Sequence, residues 1–340
     1  MSSSYPDLAD RLPPTLAFVE TGAEGGHAMM CGGLTVLERV LWGLPKRGIV
    51  VAHVAAEPMP LRVDLPVLVE WVRPGSGAPP EAVVVRGDEV LGKRVVDAAS
   101  CRAAEWALCL QLAKGHQGLI DGWLNWRVSM PITRRLASTK VTPNQVTLAS
   151  TAVGLAAAIS VAGGSWPALA LGGVLMQLQS ILDSCDGELA RLRFQGSKLG
   201  QWLDNLSDDL LDVAFVVGAG VAAGGAWCTL AVIASGLRVF GQAVMYHEVY
   251  RRTGSGDAYS FRIWFERDKG EVQEVFGVKG VGGHLRALFR RDTYVFAWML
   301  LCLCGQVEAV VVYGSILGGM IGVLMALHLL LRGPLPPPRA

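Results

Sequence analysis

The sequence predicts a mainly α-helical membrane protein: a six-helix transmembrane bundle, preceded by an interfacial amphipathic helix and a small cytoplasmic α/β domain. Of the 340 residues, 51% are hydrophobic and 17% are charged. The mean hydropathy is +0.39, which is too apolar for an ordinary soluble protein. The apolar excess is uneven. Residues 1–115 are mixed and charged, whereas 145–246 and 294–331 are nearly free of charge apart from an aspartate-rich segment at 183–212 and a few isolated residues. These long apolar runs predict the membrane bundle.

Residues 1–115 alternate short apolar runs with helical patterns, as α/β domains do. The expected elements are strands at 15–20, 48–54, 66–72 and 82–86, a helix through Leu34 and Leu41, and a helix over 95–113. The loop at 22–26 follows the first strand, where a phosphate-binding loop would lie. It matches neither of the common glycine-rich phosphate patterns, so a plain strand–helix turn is the favoured interpretation.

Residues 116–141 interleave tryptophan with arginine. Trp123 and Trp126 alternate with basic residues such as Arg127. This composition suits an amphipathic helix that lies in the headgroup layer of a bilayer, and Pro131 is a candidate break in it. An ordinary packed linker helix is the alternative.

Six apolar spans follow within residues 142–332, each near the roughly 20 residues that cross a bilayer. They are expected at 145–164, 166–184, 209–225, 227–246, 294–312 and 314–331, with a Pro-rich tail at 333–340. The connections at 163–167, 222–227 and 305–314 contain no Lys or Arg, whereas the other connections are basic. By the positive-inside rule, both termini and the basic connections face the cytoplasm. The first residues lack a basic region followed by an apolar run, so no cleaved signal peptide is expected.

Aspartates recur at fixed spacing within this apolar part of the chain. Asp183 and Asp186 lie three residues apart and share a helix face. Asp204 and Asp208 lie four residues apart and share another face. Carboxylates beside a bilayer are energetically expensive and usually functional. Two such helix ends brought together would form an oxygen-rich cage that suits Mg²⁺.

With their neighbours these residues complete the pattern D-x2-D-G-x2-A-R-x8-G-x3-D-x3-D, which resembles the signature of the CDP-alcohol phosphotransferases (CDP-alcohol phosphatidyltransferases). All eight specified residues over 26 positions are present, and the resemblance covers residues 115–332. It implies transfer of a phosphoalcohol group, most often phosphatidyl, from a CDP-alcohol to an acceptor hydroxyl, with release of CMP, in phospholipid biosynthesis. Two metal ions, Mg²⁺ or else Mn²⁺, would neutralise the diphosphate and template the attack.

The resemblance also implies a role for each signature position. The expected metal ligands are Asp183, Asp186, Asp204 and Asp208. The expected CDP-binding residues are Gly187, Ala190, Arg191 and Gly200. Asp208 would also act as general base for the acceptor hydroxyl, Arg191 would hold a phosphate bidentately, and the small residues would let the cytidine approach the helices. Small-residue helix packing is the alternative for these positions, and a solvated loop is the alternative for the aspartates.

Two cations outside the signature are candidate contacts for an acceptor phosphate. Arg238 lies inside the fourth span, where a lone cation needs an anionic partner, and Lys198 lies near the mouth of the site. The alternative for Arg238 is a structural partner for one of the signature aspartates or a side chain that reaches the interface, and the alternative for Lys198 is a surface charge. Asp209 stands where many relatives have a basic residue, which leaves the substrate preference open.

Three functions are compatible with these residues. The first expectation is phosphatidyl transfer from CDP-diacylglycerol. The second is a synthase of the di-inositol-phosphate type that uses soluble CDP-inositol, because some relatives carry a nucleotidyltransferase domain where this chain has residues 1–115. A membrane transporter is the third, since intramembrane acidic residues also mark ion pathways.

The segment at 32–41 resembles part of that nucleotidyltransferase domain. Its Gly-rich entry with a basic catalytic residue is missing from this sequence, which predicts a degenerate copy without transferase activity. The family resemblance further implies a homodimer in the cytoplasmic (inner) membrane. No nucleic-acid motif appears, so the expected partners are the substrates and the lipid bilayer.

Overall fold

The computed structural model describes residues 16–113, 118–254, 261 and 288–332. These residues belong to two units. One runs up to Lys114 and also includes Ala137–Thr139 and Leu192–Phe194, and the other comprises the remaining residues from Gly115 onward. The Pro-rich tail expected at 333–340 lies outside the described residues.

A parallel sheet forms the centre of the amino-terminal unit. The elements are β1 Leu16–Glu20, β2 Met30–Cys31, β3 Leu34–Thr35, α1 Val36–Gly43, β4 Val51–Ala55, β5 Leu68–Val72, β6 Val83–Arg86, β7 Glu89–Val90, β8 Lys93–Arg94 and α2 Ala98–Ala113. Strands β5, β4, β1 and β6 lie in that order in one parallel sheet. The pairs β2–β3 and β7–β8 are antiparallel. The predicted small α/β unit is therefore confirmed.

The packing of α1 on the sheet follows from the apolar pattern. Ala17 and Val19 on β1 and Leu37 on α1 are fully buried in one cluster. Helix α1 begins at a capping box, in which the hydroxyl of Thr35 accepts from the amide of Glu38 and the carboxylate of Glu38 accepts from the amide of Thr35. Two amides of the first turn, which have no partner inside the helix, are satisfied in this way.

The loop at 22–26 contains a turn with Gly25 at φ 71°. A carboxylate lies directly against it, because a Cβ added at Gly22 would lie 2.6 Å from Oδ2 of Asp88. Asp88 is in turn paired with Nε of Arg94 at 2.9 Å. Nη2 of Arg94 lies 3.2 Å from the same added Cβ, so an ion pair fills the space beside Gly22. The interpretation of the loop as a plain strand–helix turn stays a prediction.

The second unit is helical. A π-helical turn at Asp121–Asn125 leads into α3 Trp126–Ala137, followed by α4 Pro143–Ala162, α5 Trp166–Arg193, α6 Lys198–Ala223, α7 Gly225–Thr253, α8 Arg291–Leu303 and α9 Val307–Leu331. Helix α3 continues through Pro131, so the expectation of a break at this proline is wrong. The proline stands on the exposed side of the helix, and the irregular π turn precedes the helix instead.

Four of these helices are long and apolar enough to cross a membrane, namely α4, α5, α7 and α9. Helices α6 and α8 occupy the positions of the other two predicted spans. Helix α6 carries four aspartates, and α8 has only 13 residues. A membrane-embedded helical unit is therefore supported, while the six-span count, the orientation and the interfacial position of α3 stay predictions.

The turn between the last two helices lies earlier than the sequence suggested. We expected the break near residue 313, but α8 ends at Leu303 and α9 begins at Val307. Gly305 adopts φ 71° between them, a conformation that ends a helix at little steric cost when the residue is glycine. Gly314, at the start of the expected sixth span, lies inside α9, where an added Cβ would lie 2.5 Å from Val216.

Aromatic and small residues hold this unit together. The ring of Trp298 is fully buried, stacks on Phe215 at 5.4 Å and lies 4.9 Å from the ring of Tyr294. Helices α4 and α6 approach closely, because a Cβ at Gly218 would lie only 2.6 Å from the carbonyl oxygen of Ala158. Small residues at such contacts are typical of membrane helices. This packing fixes α6 and α8, which carry most of the ionic groups of the site.

Candidate active site

Three signature aspartates converge where the predicted pattern placed them. Asp183 and Asp186 lie on α5, which continues as a helix through both positions, and Asp204 lies on α6. One carboxylate oxygen from each lies within 4.8 Å of the others. Asp186 is buried and the other two are half-buried. We call these three residues the carboxylate cluster.

The chemistry of the carboxylate cluster fits a hard divalent cation. Among the described residues, no hydrogen-bond partner reaches Oδ1 of Asp183 or Oδ1 of Asp204, although both atoms are buried. Buried carboxylate oxygens without partners are unfavourable. Oxygen-only ligands are the set that Mg²⁺ and Mn²⁺ prefer. The cluster is therefore a candidate metal site.

A hydroxyl on α4 orients the buried member of the cluster. Oγ1 of Thr147 lies 2.5 Å from Oδ2 of Asp186 and 3.2 Å from the carbonyl oxygen of Pro143. The hydroxyl has one proton, and the shorter contact with a charged acceptor is the stronger of the two. Thr147 thus leaves the second oxygen of Asp186 for the cluster.

Asp208, the fourth signature aspartate, pairs with an arginine from α8. Its Oδ1 lies 2.9 Å from Nη2 of Arg291. The same guanidinium reaches Oδ2 of Asp183 at 3.5 Å and Oδ1 of Asp212 at 3.4 Å, and it donates to Oε1 of Gln179 at 2.9 Å. One cation therefore serves three carboxylates. The role of Asp208 as a metal ligand stays a prediction, since its oxygens are not part of the carboxylate cluster.

Arg238 is paired inside the helical unit. Its Nη2 lies 2.5 Å from Oδ2 of Asp212, 3.0 Å from the hydroxyl of Tyr294 and 3.8 Å from Oδ1 of Asp209. The Tyr294 hydroxyl also donates to Asp212. Arg238 is only 7% exposed and Asp212 is fully buried. Arg238 is thus in a structural ion pair, but its partners Asp212 and Asp209 lie outside the signature.

Asp209, which stands where many relatives have a basic residue, is satisfied by α7. Its oxygens accept from Nε2 of Gln242 and from the hydroxyl of Tyr246, both at 2.6 Å. These two hydrogen bonds, together with the guanidinium of Arg238 at 3.8 Å, stabilise its charge. These contacts explain how α6 accommodates a further carboxylate next to Asp208.

The remaining signature residues line the same helix ends. The guanidinium of Arg191 lies beside Gly187, where an added Cβ would be 3.1 Å from Nη1. A Cβ at Gly200 would lie 2.8 Å from Oδ1 of Asn144. Ala190 is half-buried, Arg191 is exposed, and Lys198 is exposed at the first position of α6. Arg191 is thus free to turn toward a ligand, and both glycines stand where a side chain would meet its neighbours.

Sequence reasoning missed four residues of this site: Thr147, Gln179, Arg291 and Tyr294. Arg291 lies in one of the basic connections between the apolar spans, and it contacts more carboxylates of the site than any predicted cation. It lies 112 residues from Gln179 in the chain. An available signal was its position as the last basic residue before the fifth apolar span.

A family model described as CDP-alcohol phosphatidyltransferase matches residues 140–321. The match covers more than half of the chain. It contains the whole signature from Asp183 to Asp208, as well as Thr147 and Arg291. The carboxylate cluster and its surrounding residues therefore lie within the matched segment.

Three similar proteins share the name "Bifunctional IPC transferase and DIPP synthase". The protein from Aquifex aeolicus (strain VF5) is 28% identical over 209 residues, which are 61% of this chain and 43% of that protein. The protein from Thermococcus kodakarensis is 39% identical over 99 residues, 29% of this chain and 22% of that protein. The protein from Archaeoglobus fulgidus is 36% identical over 118 residues, 34% of this chain and 23% of that protein. The matched segments thus span less than half of these relatives.

Proposed function

Because the chain belongs to the CDP-alcohol phosphatidyltransferase family and is a transferase of substituted phosphate groups, we propose that it moves a phosphoalcohol group from a CDP-alcohol to an acceptor hydroxyl. The acceptor oxygen forms a bond to the phosphorus, the bond from that phosphorus to the CMP oxygen breaks, and the hydroxyl proton passes to a base. The observation that carries the proposal is the convergence of Asp183, Asp186 and Asp204. The family match disfavours the transporter alternative.

The carboxylate cluster would hold the divalent metal, and the family resemblance suggests two ions, most readily Mg²⁺. When bound, the metal supplies positive charge that stabilises the diphosphate and the leaving CMP. Gly187, Ala190 and Gly200 would let the CDP moiety lie close to the helices. Arg191, which is exposed beside Gly187, would hold a phosphate oxygen pair.

Asp208 would receive the proton of the acceptor hydroxyl. Its Oδ1 is held by Arg291 and lies 3.4 Å from Nε2 of Gln179, so the carboxylate has a fixed orientation at the edge of the cluster. Its other oxygen would face the acceptor. A positioned carboxylate of this kind speeds proton transfer by about 10²–10⁴-fold.

The proposal also specifies which CDP-alcohol is the donor. The sequence put CDP-diacylglycerol first and CDP-inositol second. The names of the similar proteins fit the second choice, and so does the α/β unit that precedes the helices. We therefore put CDP-inositol, in a synthase of the di-inositol-phosphate type, ahead of phosphatidyl transfer. Arg238 and Lys198 remain candidate contacts of an acceptor phosphate.

The setting of the enzyme is also proposed. The apolar helices support a membrane protein. Its place in the inner membrane and its six spans are proposed from the family resemblance and the sequence, and the charge asymmetry of the connections would put the site and both termini in the cytoplasm. The amino-terminal unit would be a nucleotidyltransferase-like domain without its own activity, because the Gly-rich entry with a basic catalytic residue is missing from the sequence. A homodimer is proposed from the family resemblance.

Release of CMP by the purified full-length protein in lipid nanodiscs tests the reaction. CDP-inositol and CDP-diacylglycerol are compared as donors with inositol phosphate as acceptor, with Mg²⁺ and with chelator. We expect Mg²⁺-dependent CMP release with CDP-inositol and a labelled product that partitions into water. Asp208→Asn should lower turnover at least about hundredfold, whereas Asp209→Asn, a matched change on the same helix outside the signature, should keep most activity.

The outcomes separate the parts of the proposal. CMP release only from CDP-diacylglycerol, with a product in the organic phase, would reject the donor and keep the reaction. Undiminished turnover in Asp208→Asn would reject the base. A protein that releases no CMP from either donor but carries metal-coupled flux in proteoliposomes would reject the transferase activity.

A further inference from the structure

A row of polar side chains joins the π turn and α3 to one face of α5. Nε2 of Gln177 donates to Oδ1 of Asn125 at 2.8 Å, and Nδ2 of Asn125 lies 3.4 Å from Oγ of Ser180. Further along, Sγ of Cys185 lies 3.6 Å from the carbonyl oxygen of Ser129. We call this row the α3–α5 seam. Asn125 and Ser129, which contribute to the seam from the π turn and α3, are four residues apart and so lie on one face of a helix.

Glu188 ends the seam and makes its strongest contacts. It is fully buried, and so are its two partners, Ser129 and Thr133. Oγ of Ser129 donates to Oε1 at 2.7 Å, and Oγ1 of Thr133 donates to Oε2 at 2.6 Å. Each oxygen of the carboxylate therefore has its own hydroxyl donor on α3. Hydrogen bonds to a charged group are about twice as strong as those between neutral groups.

Glu188 lies two residues beyond Asp186, and residues two apart on a helix point to nearly opposite sides. Asp186 is held on one side by Thr147 of α4. Glu188 is held on the other side by Ser129 and Thr133 of α3. The turn of α5 that carries Asp186 is thus clamped from both sides, and neither its rotation nor its height along the helix axis can change without breaking one set of bonds.

We propose that Glu188 is a positioning residue for the carboxylate cluster, which it serves by fixing this turn of α5 to α3. The signature leaves position 188 unspecified, so the residue is not part of the family pattern. The inference rests on the proposed metal site. On this inference, α3 has a role besides any contact with lipid, because the buried polar face of α3 sets the geometry of the carboxylate cluster.

The threonine offers a matched pair of variants. Thr133→Val keeps the shape of the side chain and removes the hydroxyl, whereas Thr133→Ser keeps the hydroxyl and removes the methyl group. Thr151→Val is the control, since the hydroxyl of Thr151 bonds the carbonyl oxygen of Thr147 within its own helix. Mn²⁺ binding to the full-length protein in nanodiscs is measured by the electron paramagnetic resonance signal of free Mn²⁺, alongside thermal unfolding and CMP release.

We expect the dissociation constant for Mn²⁺ to rise about tenfold in Thr133→Val and to stay within about twofold of wild type in Thr133→Ser and Thr151→Val. Turnover should follow the same order. Equal losses of Mn²⁺ affinity in Thr133→Val and Thr133→Ser would overturn the inference, because the packing of the side chain rather than its hydroxyl would then matter. Mn²⁺ affinity unchanged in Thr133→Val would overturn it as well.

A second variant distinguishes a loss of folding from a loss of positioning of the carboxylate cluster. If Thr133→Val does not fold, Ser129→Ala takes its place under the same tenfold criterion, because it removes one donor of the same carboxylate and leaves a smaller side chain. Wild-type protein that binds Mn²⁺ but releases no CMP would refute the proposed function alone. Wild-type activity combined with unchanged Mn²⁺ binding in both hydroxyl variants would refute the role of Glu188 alone.

Discussion

Replacing Arg291 by methionine removes the guanidinium that contacts Asp208, Asp183 and Asp212. Each pair at about 3–3.5 Å attracts by about 5 kcal/mol at an effective dielectric constant of about 20, before desolvation is subtracted. Desolvation offsets much of that attraction, but removing one partner of a largely buried pair still costs about 3–5 kcal/mol, because the other charge is left without compensation. We expect Arg291→Met to lose about that much unfolding free energy without metal.

A bound divalent cation should return part of this loss, because it supplies positive charge to the same carboxylates. Saturation at one hundred times the dissociation constant stabilises a protein by about 2.7 kcal/mol. Since a metal bound at the proposed site would compete with Arg291 for Asp183, the increase in melting temperature on adding Mg²⁺ should be larger in Arg291→Met than in wild type. Turnover should nevertheless fall at least about hundredfold, because Asp208 loses its orienting partner.

The matched control is Arg290→Met, one residue earlier. Arg290 contacts Asp292 at 3.3 Å and Asp121 at 4.0 Å, and its side chain is 34% exposed, so its removal should cost at most about 1 kcal/mol. Thermal unfolding in detergent with and without Mg²⁺ measures both variants. Equal stability of the two variants, or an equal response to Mg²⁺ in Arg291→Met and wild type, would refute the reasoning.

Two further predictions concern other parts of the helical unit. Gly187→Ala should raise the melting temperature, since alanine favours a helix by about 1 kcal/mol over glycine. The same variant should raise KM for the CDP donor, because the guanidinium of Arg191 must move away from the added Cβ. An unchanged KM would contradict this prediction. Glu248→Met should lower the unfolding free energy by about 3–5 kcal/mol, because buried Glu248 pairs with Arg332. The control Glu308→Met, at an exposed position, should change the unfolding free energy little. Equal effects in the two variants would be inconsistent with a buried ion pair.

The pattern of the sequence predicted much of the fold because its signals are local. Alternating apolar runs located the strands of the sheet to within three residues, and the spacing of Asp183, Asp186 and Asp204 predicted their convergence. The strands and the shared face of Asp183 and Asp186 depend only on the period of a strand or a helix, whereas the meeting of the two helices was implied by the family resemblance. Where a break depended on one backbone angle, as at Gly305 between α8 and α9, composition alone misplaced it.

The partners of the aspartates could not be predicted, because they come from distant segments. Nothing in the local sequence around Arg291 indicates which carboxylates it meets, and nothing distinguishes Gln179 from the polar residues next to it, Gln177 and Ser180. Likewise, Ser129 and Thr133 appeared as minor members of a Trp- and Arg-rich helix. The structure shows that their hydroxyls form its buried face.

The Arg238–Asp212 pair has a consequence for how the chain enters the membrane. Helix α6 carries its charges into an otherwise apolar sequence, and a single charge on an isolated helix at the bilayer centre is unfavourable by about 3 kcal/mol on insertion scales. Helix α7 follows after one glycine, Gly224, and brings the opposite charge to the same depth. If α6 spans the membrane, as the six-span prediction holds, the two helices would be best inserted together as a hairpin, with the ion pair formed before either helix meets lipid alone. The arginine that looked like a candidate ligand would then act first during biogenesis.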